Sequence, residues 1–202
     1  MAEITAQLVK QLRELTGAGM MECKSALVEA KGDLAEAEVV LRKRGIASAG
    51  KKSSRATKQG LIGSYIHHGG QLGVMIEVNC ESDFVARTGD FQELVHDLAM
   101  HVAAADPRFI RKEDATPAAV EKEREIQMAR VIAEGKPEKV ADKIVEGRMA
   151  KFYEEVCLYD QPFVKDNTLS VDQLIKTRIA KLGENISVAR FIRFKVGDSA
   201  VE

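Results

Sequence analysis

Apolar positions recur along the chain at two spacings, and the change between them marks out its elements. Ile4, Leu8, Leu12 and Leu15 fall at offsets of four, eight and eleven, which places them on one face of a helix. Gly17 and Gly19 interrupt that pattern, and a second helix is predicted from about Met21 to Ala30. Lys31-Gly32-Asp33 reads as a stop followed by a cap, and Leu34, Ala37, Val40 and Leu41 then line a third helix. Arg42, Lys43 and Arg44 suit its last turn and Gly45 its end. From residue 61 to 80 the spacing changes to two. Ile62, Ser64 and Ile66 alternate on one strand, and Val74, Ile76 and Val78 alternate against Met75, Glu77 and Asn79 on another. Gly69-Gly70 between them permits a hairpin turn.

Helical spacing returns with Phe91, Leu94, Val95, Leu98 and Val102, and Asp90 followed by Glu93 marks the expected start. Pro107 to Arg111 reads as a short extended piece. Two helices then open at Thr116-Pro117 and Lys136-Pro137, the first to about Glu134 and the second as far as Tyr159. Val140, Ile144, Val145, Met149, Phe152 and Val156 line one side of the second. Ser170-Val171-Asp172-Gln173 has the form of a capping box before a helix with Leu174, Ile175, Ile179 and Leu182 inward and Gly183 closing. The last element, Ile186 to Val196, alternates as a strand with Ile186, Val188, Ile192, Phe194 and Val196 on one face.

The predicted fold is therefore α+β. A three-helix bundle (residues 1–46) and a basic flexible linker (47–60) precede a core with an antiparallel sheet. That core is divided into hairpin, loop and helix (61–112), a helical hairpin (113–165), and a helix with closing strand (166–198). A bundle of about 45 residues has a thin core, and such a module usually docks onto something.

Composition narrows the function classes. Of 202 residues, Lys and Arg number 30 and Asp and Glu 31, a balance that argues against a dedicated nucleic-acid binder. No run approaches the roughly 18 apolar residues needed to span a membrane. Met1-Ala2-Glu3-Ile4-Thr5 carries no charged-then-apolar export signal, so the expected location is cytoplasmic. Cys23, Cys80 and Cys157 are too scattered for a disulfide scaffold or a zinc site, and no His neighbours them in sequence. His67 and His68 flank the hairpin turn without a carboxylate or cysteine at ligand spacing, and no phosphate-cradling loop is present. The expectation is no enzyme, no metal, no cofactor and no direct nucleotide binding. Val39 to Ile76 contains no Asp or Glu but does contain Arg42, Lys43, Arg44, Lys51, Lys52, Arg55 and Lys58. These could touch RNA, although no aromatic residues interleave with them as a stacking site requires.

Between the second strand and the helix after it runs Glu77-Val78-Asn79-Cys80-Glu81-Ser82-Asp83-Phe84-Val85-Ala86-Arg87. This stretch resembles the signature of the elongation factor Ts family, with Ser82 where the family usually has Thr. Leu12-Arg13-Glu14-Leu15-Thr16-Gly17-Ala18-Gly19-Met20-Met21-Glu22-Cys23-Lys24-Ser25-Ala26-Leu27 resembles that family's amino-terminal signature throughout. The resemblance runs to about Gly197. It implies a ubiquitin-associated-like bundle and one core module where longer members carry two. A second copy would supply the other module, as a homodimer, and the long closing strand offers an edge for pairing.

The implied function is guanine-nucleotide exchange on elongation factor Tu, bound both with GDP and nucleotide-free. Ser82, Asp83, Phe84 and Val85 would form the part that disturbs its magnesium and phosphate contacts, with Phe84 as apolar wedge, Asp83 as polar contact and Val85 as support. Arg13, Met20 and Met21 are the docking candidates on the bundle. Two other classes stay open at this point, a protein-binding module without exchange activity and an RNA-binding accessory protein acting through the basic linker.

Overall fold

The computed structural model describes residues 4–198. Met1-Ala2-Glu3, the first residues of the bundle expected over 1–46, lie outside the described residues. By contacts the chain divides into two units. One comprises the stretch up to Leu61, Val78–Leu94 and Gln173–Ser187; the other comprises Ile62–Glu77, Val95–Asp172 and the stretch from Val188 on.

The first unit contains the three helices of the bundle, α1 (Ala6–Thr16), α2 (Met20–Glu29) and α3 (Leu34–Lys52). The Thr5 side chain caps α1 by accepting from the Leu8 amide, and Asp33 caps α3 through Glu36. Val9, Leu12, Cys23, Ala26, Leu27, Ala37, Val40 and Leu41 form the core. Leu15, expected inward, is 70% exposed, and Val9 is buried instead. Around an α-helix Leu15 lies about 120° from Val9 and about 60° from Leu12, so it falls at the edge of the face those two residues bury.

The flexible linker expected over residues 47–60 is corrected. Helix α3 continues to Lys52, which leaves only 53–58 between it and the next strand. Gly45 does not end the helix. A Cβ at that position would lie 2.9 Å from the Ala180 side chain, so the glycine permits close approach of the helix α8 (Val171–Leu182).

Strands β1 (Gln59–Ile66), β2 (Leu72–Cys80) and β5 (Ile186–Lys195) form an antiparallel sheet in the order β1-β2-β5. Val74, Ile76, Val78 and Cys80 of β2 are buried, as strict alternation predicts. Ile62, Ile66, Met75, Ile192 and Phe194 are all exposed, so that part of the other sheet face is open. Ile186 and Val188 are buried, so the residues expected to share one face of β5 do not share one environment. Arg190 and Glu77 form an ion pair at 2.7 Å in the open region.

The second unit also holds the helical hairpin, α6 (Pro117–Ala133) and α7 (Glu138–Val156). Val131, Ala141, Val145, Met149 and Phe152 are its core; Val140 is exposed and Ala141 takes the inward place expected of it. Helix α7 stops at Val156, short of Tyr159, because Cys157 turns extended and bridges to Phe109. A small two-stranded sheet, β3 (Pro162–Phe163) with β4 (Asp166–Ser170), follows and was not expected. Within the same unit His101 is fully buried. Its Nδ1 accepts from the Val164 amide at 3.2 Å, so its Nε2 carries the proton and donates to Gln161 Oε1 at 2.9 Å. The Gln161 amide group in turn donates to the carbonyls of Ala105 and Glu155. No helix among the described residues is long and apolar enough to cross a membrane.

Candidate functional site

Strand β2 ends at Cys80, and the chain passes through Glu81 and Ser82 into a single helical turn, α4 (Asp83–Ala86). Ser82 is extended and caps this turn, its Oγ accepting from the Val85 amide at 3.4 Å. The turn closes with Ala86 N–H donating to Ser82 O and Arg87 N–H to Asp83 O. Thr88 then ends one element and starts the next. Its hydroxyl donates to Val85 O at 2.7 Å and accepts from the Phe91 amide at 3.3 Å, capping α5 (Gly89–Ala105). The expected helix start at Asp90 is therefore corrected to Gly89, with Thr88 as the cap. Asp90 instead takes Lys181 at 2.6 Å and Arg178 at 3.3 Å, and Glu93 takes Arg178 at 3.0 Å.

The single turn sorts its side chains. Two residues along a helix are separated by roughly 200°, so Ala86 and Phe84 point oppositely. Ala86 is 4% exposed and Phe84 is 81% exposed. Val85 is half-buried beside it. Asp83 is partly exposed and pairs with Arg87 at 2.9 Å, one turn on.

A carboxylate from elsewhere in the chain holds this turn at its base. Glu184, in the connection between α8 and β5, accepts from Glu81 N–H at 3.1 Å and Ser82 N–H at 2.9 Å through Oε2. Its Oε1 accepts from the Ser82 hydroxyl at 2.6 Å. The neighbouring Asn185 amide donates to Glu81 Oε1 at 2.6 Å, and the Asn185 side chain donates to the carbonyls of Ser53 and Arg55. Three segments of the first unit thus meet beneath the exposed ring.

The bundle candidates are placed on the surface. Arg13 on α1 is exposed, and Met20 and Met21, which open α2, are 49% and 75% exposed. The Gly19 amide donates to Glu22 Oε2 at 3.2 Å at that helix start.

A sequence model of the family described as Elongation factor TS matches residues 5–200. The chain belongs to the elongation factor Ts family. It is similar to Elongation factor Ts of Solibacter usitatus (strain Ellin6076), 81% identical over 199 residues that cover 98% of this chain and 94% of the relative. It is 64% identical to Elongation factor Ts of Koribacter versatilis (strain Ellin345), covering 96% of this chain and 89% of the relative. The Elongation factor Ts of Thermosipho melanesiensis (strain DSM 12029 / CIP 104789 / BI429) is 55% identical, with 96% of this chain and 100% of the relative covered. Membership of this family makes the chain a translation elongation factor, a component of protein biosynthesis.

The family signature around Ser82 does not include the residues that brace it. Glu184 and Asn185 lie about a hundred positions away, and only the helix end at Gly183 hinted at a turn there. Cys80 and Cys157 are poor nucleophiles where they stand. Burial pushes the Cys80 thiol upward, with Glu184 adding to the effect, and burial pushes Cys157 up to about 11. Among the described residues no group of three or more His, Cys, Asp or Glu could hold a metal ion.

Proposed function

We propose that this elongation factor is the guanine-nucleotide exchange factor of cytoplasmic elongation factor Tu. It binds the GDP-bound form and promotes GDP release by wedging the magnesium and phosphate region with Ser82, Asp83, Phe84 and Val85. The observation that carries this reading is Phe84, a large apolar ring 81% exposed on a braced single turn. Aromatic rings are mostly buried, and one left out on a rigid support fits a partner's pocket. Exchange needs no covalent step. By linkage, a partner that weakens nucleotide binding is itself weakened by nucleotide to the same factor, so the nucleotide-free complex is the tight one. Phe84 supplies apolar contact that offsets the lost ion and phosphate contacts. Asp83 is the polar element, and its exposed ion pair with Arg87 contributes little and exchanges readily for partner groups. Val85 supports the ring from its half-buried position.

Arg13, Met20 and Met21 form the docking surface of the bundle, where methionine adapts well to an opposing face. A second copy of the chain covers the open sheet region of Ile62, Ile66, Met75, Ile192 and Phe194, where the ion pair of Arg190 with Glu77 adds no net charge to repel a twin.

The deciding experiment measures release of a fluorescent GDP from elongation factor Tu, with and without the protein and with Phe84→Ala. Strong acceleration lost in the variant supports the wedge. Release left unchanged by the native protein rejects exchange and favours a docking module. Acceleration that survives Phe84→Ala keeps the activity and moves its cause elsewhere on the surface.

A further inference from the structure

Resting on the exchange reading, we propose that Glu184 is a positioning residue for exchange, which sets the pose of the Ser82–Val85 turn and makes it stiff enough to act as a wedge. A wedge moves its partner only if it yields less than the partner does. One turn of helix cannot supply that stiffness, because an isolated turn fixes several dihedral angles for very few hydrogen bonds. The cap bond from Ser82 Oγ to the Val85 amide is long, at 3.4 Å. Stiffness has to come from below.

Glu184 supplies it in a way few side chains could. Both carboxylate oxygens are used, one by two successive backbone amides and the other by the Ser82 hydroxyl. A carboxylate is an acceptor at every position, whereas a carboxamide turns its N–H group toward at least one of these three donors. By taking the hydroxyl proton, Glu184 also leaves the Ser82 lone pairs to face Val85, and chained hydrogen bonds of this kind strengthen one another. The bracing is reciprocal. Glu184 grips the backbone at 81 and 82, while the Glu81 carboxylate grips the backbone amide of Asn185 at 2.6 Å. Asn185 carries the load on to the carbonyls of Ser53 and Arg55 after α3. A force on Phe84 is thus transmitted through Ser82 into two other segments of the first unit instead of bending the turn.

The test uses the full chain and Glu184→Gln, which keeps shape and removes charge, with Glu184→Asp as the conservative variant. In the native protein, the Glu81 and Ser82 amides exchange with solvent deuterium as slowly as those of β2; in Glu184→Gln they exchange faster while the bundle is unchanged. The maximal rate of GDP release from elongation factor Tu falls roughly ten- to hundredfold in Glu184→Gln. The half-saturating concentration is little changed, and Glu184→Asp recovers part of the loss. In a Phe84→Ala background the same substitution has almost no further effect, which a general loss of fold would not produce. Equal fractional loss in both backgrounds overturns the proposal, as does native release by Glu184→Gln when Phe84→Ala is defective. If Glu184→Gln does not fold, rapid exchange of the Glu81 and Ser82 amides in the native protein is enough to overturn it. Failure of the native protein to accelerate release rejects the exchange reading and any role of Glu184 in it, while the brace is judged separately by amide protection.

Discussion

Phe84 and Ala86 stand two residues apart and meet opposite fates because Ser82 starts a helical turn where a strand has just ended. Had the strand continued, the period of two would have put both side chains on one face. The cap is thus what turns the ring outward. Since Phe84 covers almost nothing of its own fold, Phe84→Ala should leave thermal stability within about 0.5 kcal/mol of native, as for other exposed positions. The same variant should lose most of the acceleration of GDP release. A drop of several kcal/mol in unfolding free energy would mean that the ring packs inward in solution and cannot serve as the wedge. The residue alone did not reveal this placement, since aromatic side chains are mostly interior; only its setting in a family signature pointed to a partner.

At the level of elements, periodicity located the helices and the hairpin, but it could not distinguish two uses of glycine. Gly45 follows three basic residues and resembles a helix terminator, yet it sits within α3 because Ala180 approaches it. Gly147 sits within α7, and no atom of a described residue outside its own helix comes within 4 Å of where a Cβ would stand. Chemical denaturation separates the two. Gly147→Ala should stabilise by about 0.5–1 kcal/mol from helix propensity alone. Gly45→Ala should show no such gain, because the new methyl must push Ala180 aside. Equal stabilisation by both would remove the close approach as the reason for Gly45. The same blindness to distant neighbours explains why Glu184 was missed. Its charge pattern is that of any polar turn, and its partners come from the far side of the sequence. The short β3–β4 pair escaped for a different reason, since a strand of two residues carries no period to detect.

For the molecule as a whole, two properties depend on groups that the candidate site does not use. The first is stability against pH. His101 is buried, and burial holds its imidazole below the usual value of 6.5 despite the hydrogen bond to Gln161 that favours the charged form. The unfolded chain therefore takes up this proton before the folded one does, so stability is full above the unfolded value and is lost as pH falls through 6.5 toward the lowered folded value. The thermal midpoint should fall between about pH 7 and about pH 5, and the slope should flatten in His101→Gln. An equal slope in the variant would assign the loss to other groups.

The second property is self-association. Ile66 and Phe194 are 67% and 62% exposed and line, with Met75, an apolar cleft of about 430 Å³ on the open sheet region. A contiguous apolar surface of this kind on a chain of net charge −1 has little repulsion to keep two copies apart. Sedimentation equilibrium at roughly tens of micromolar should give a dimer. Ile66→Lys and Phe194→Lys should each give a monomer with an unaltered circular dichroism spectrum, because neither side chain is covered within its own copy. A native protein that sediments as a monomer would leave this face to a different partner. If it then still released GDP at full rate, one copy of the braced turn would suffice for exchange.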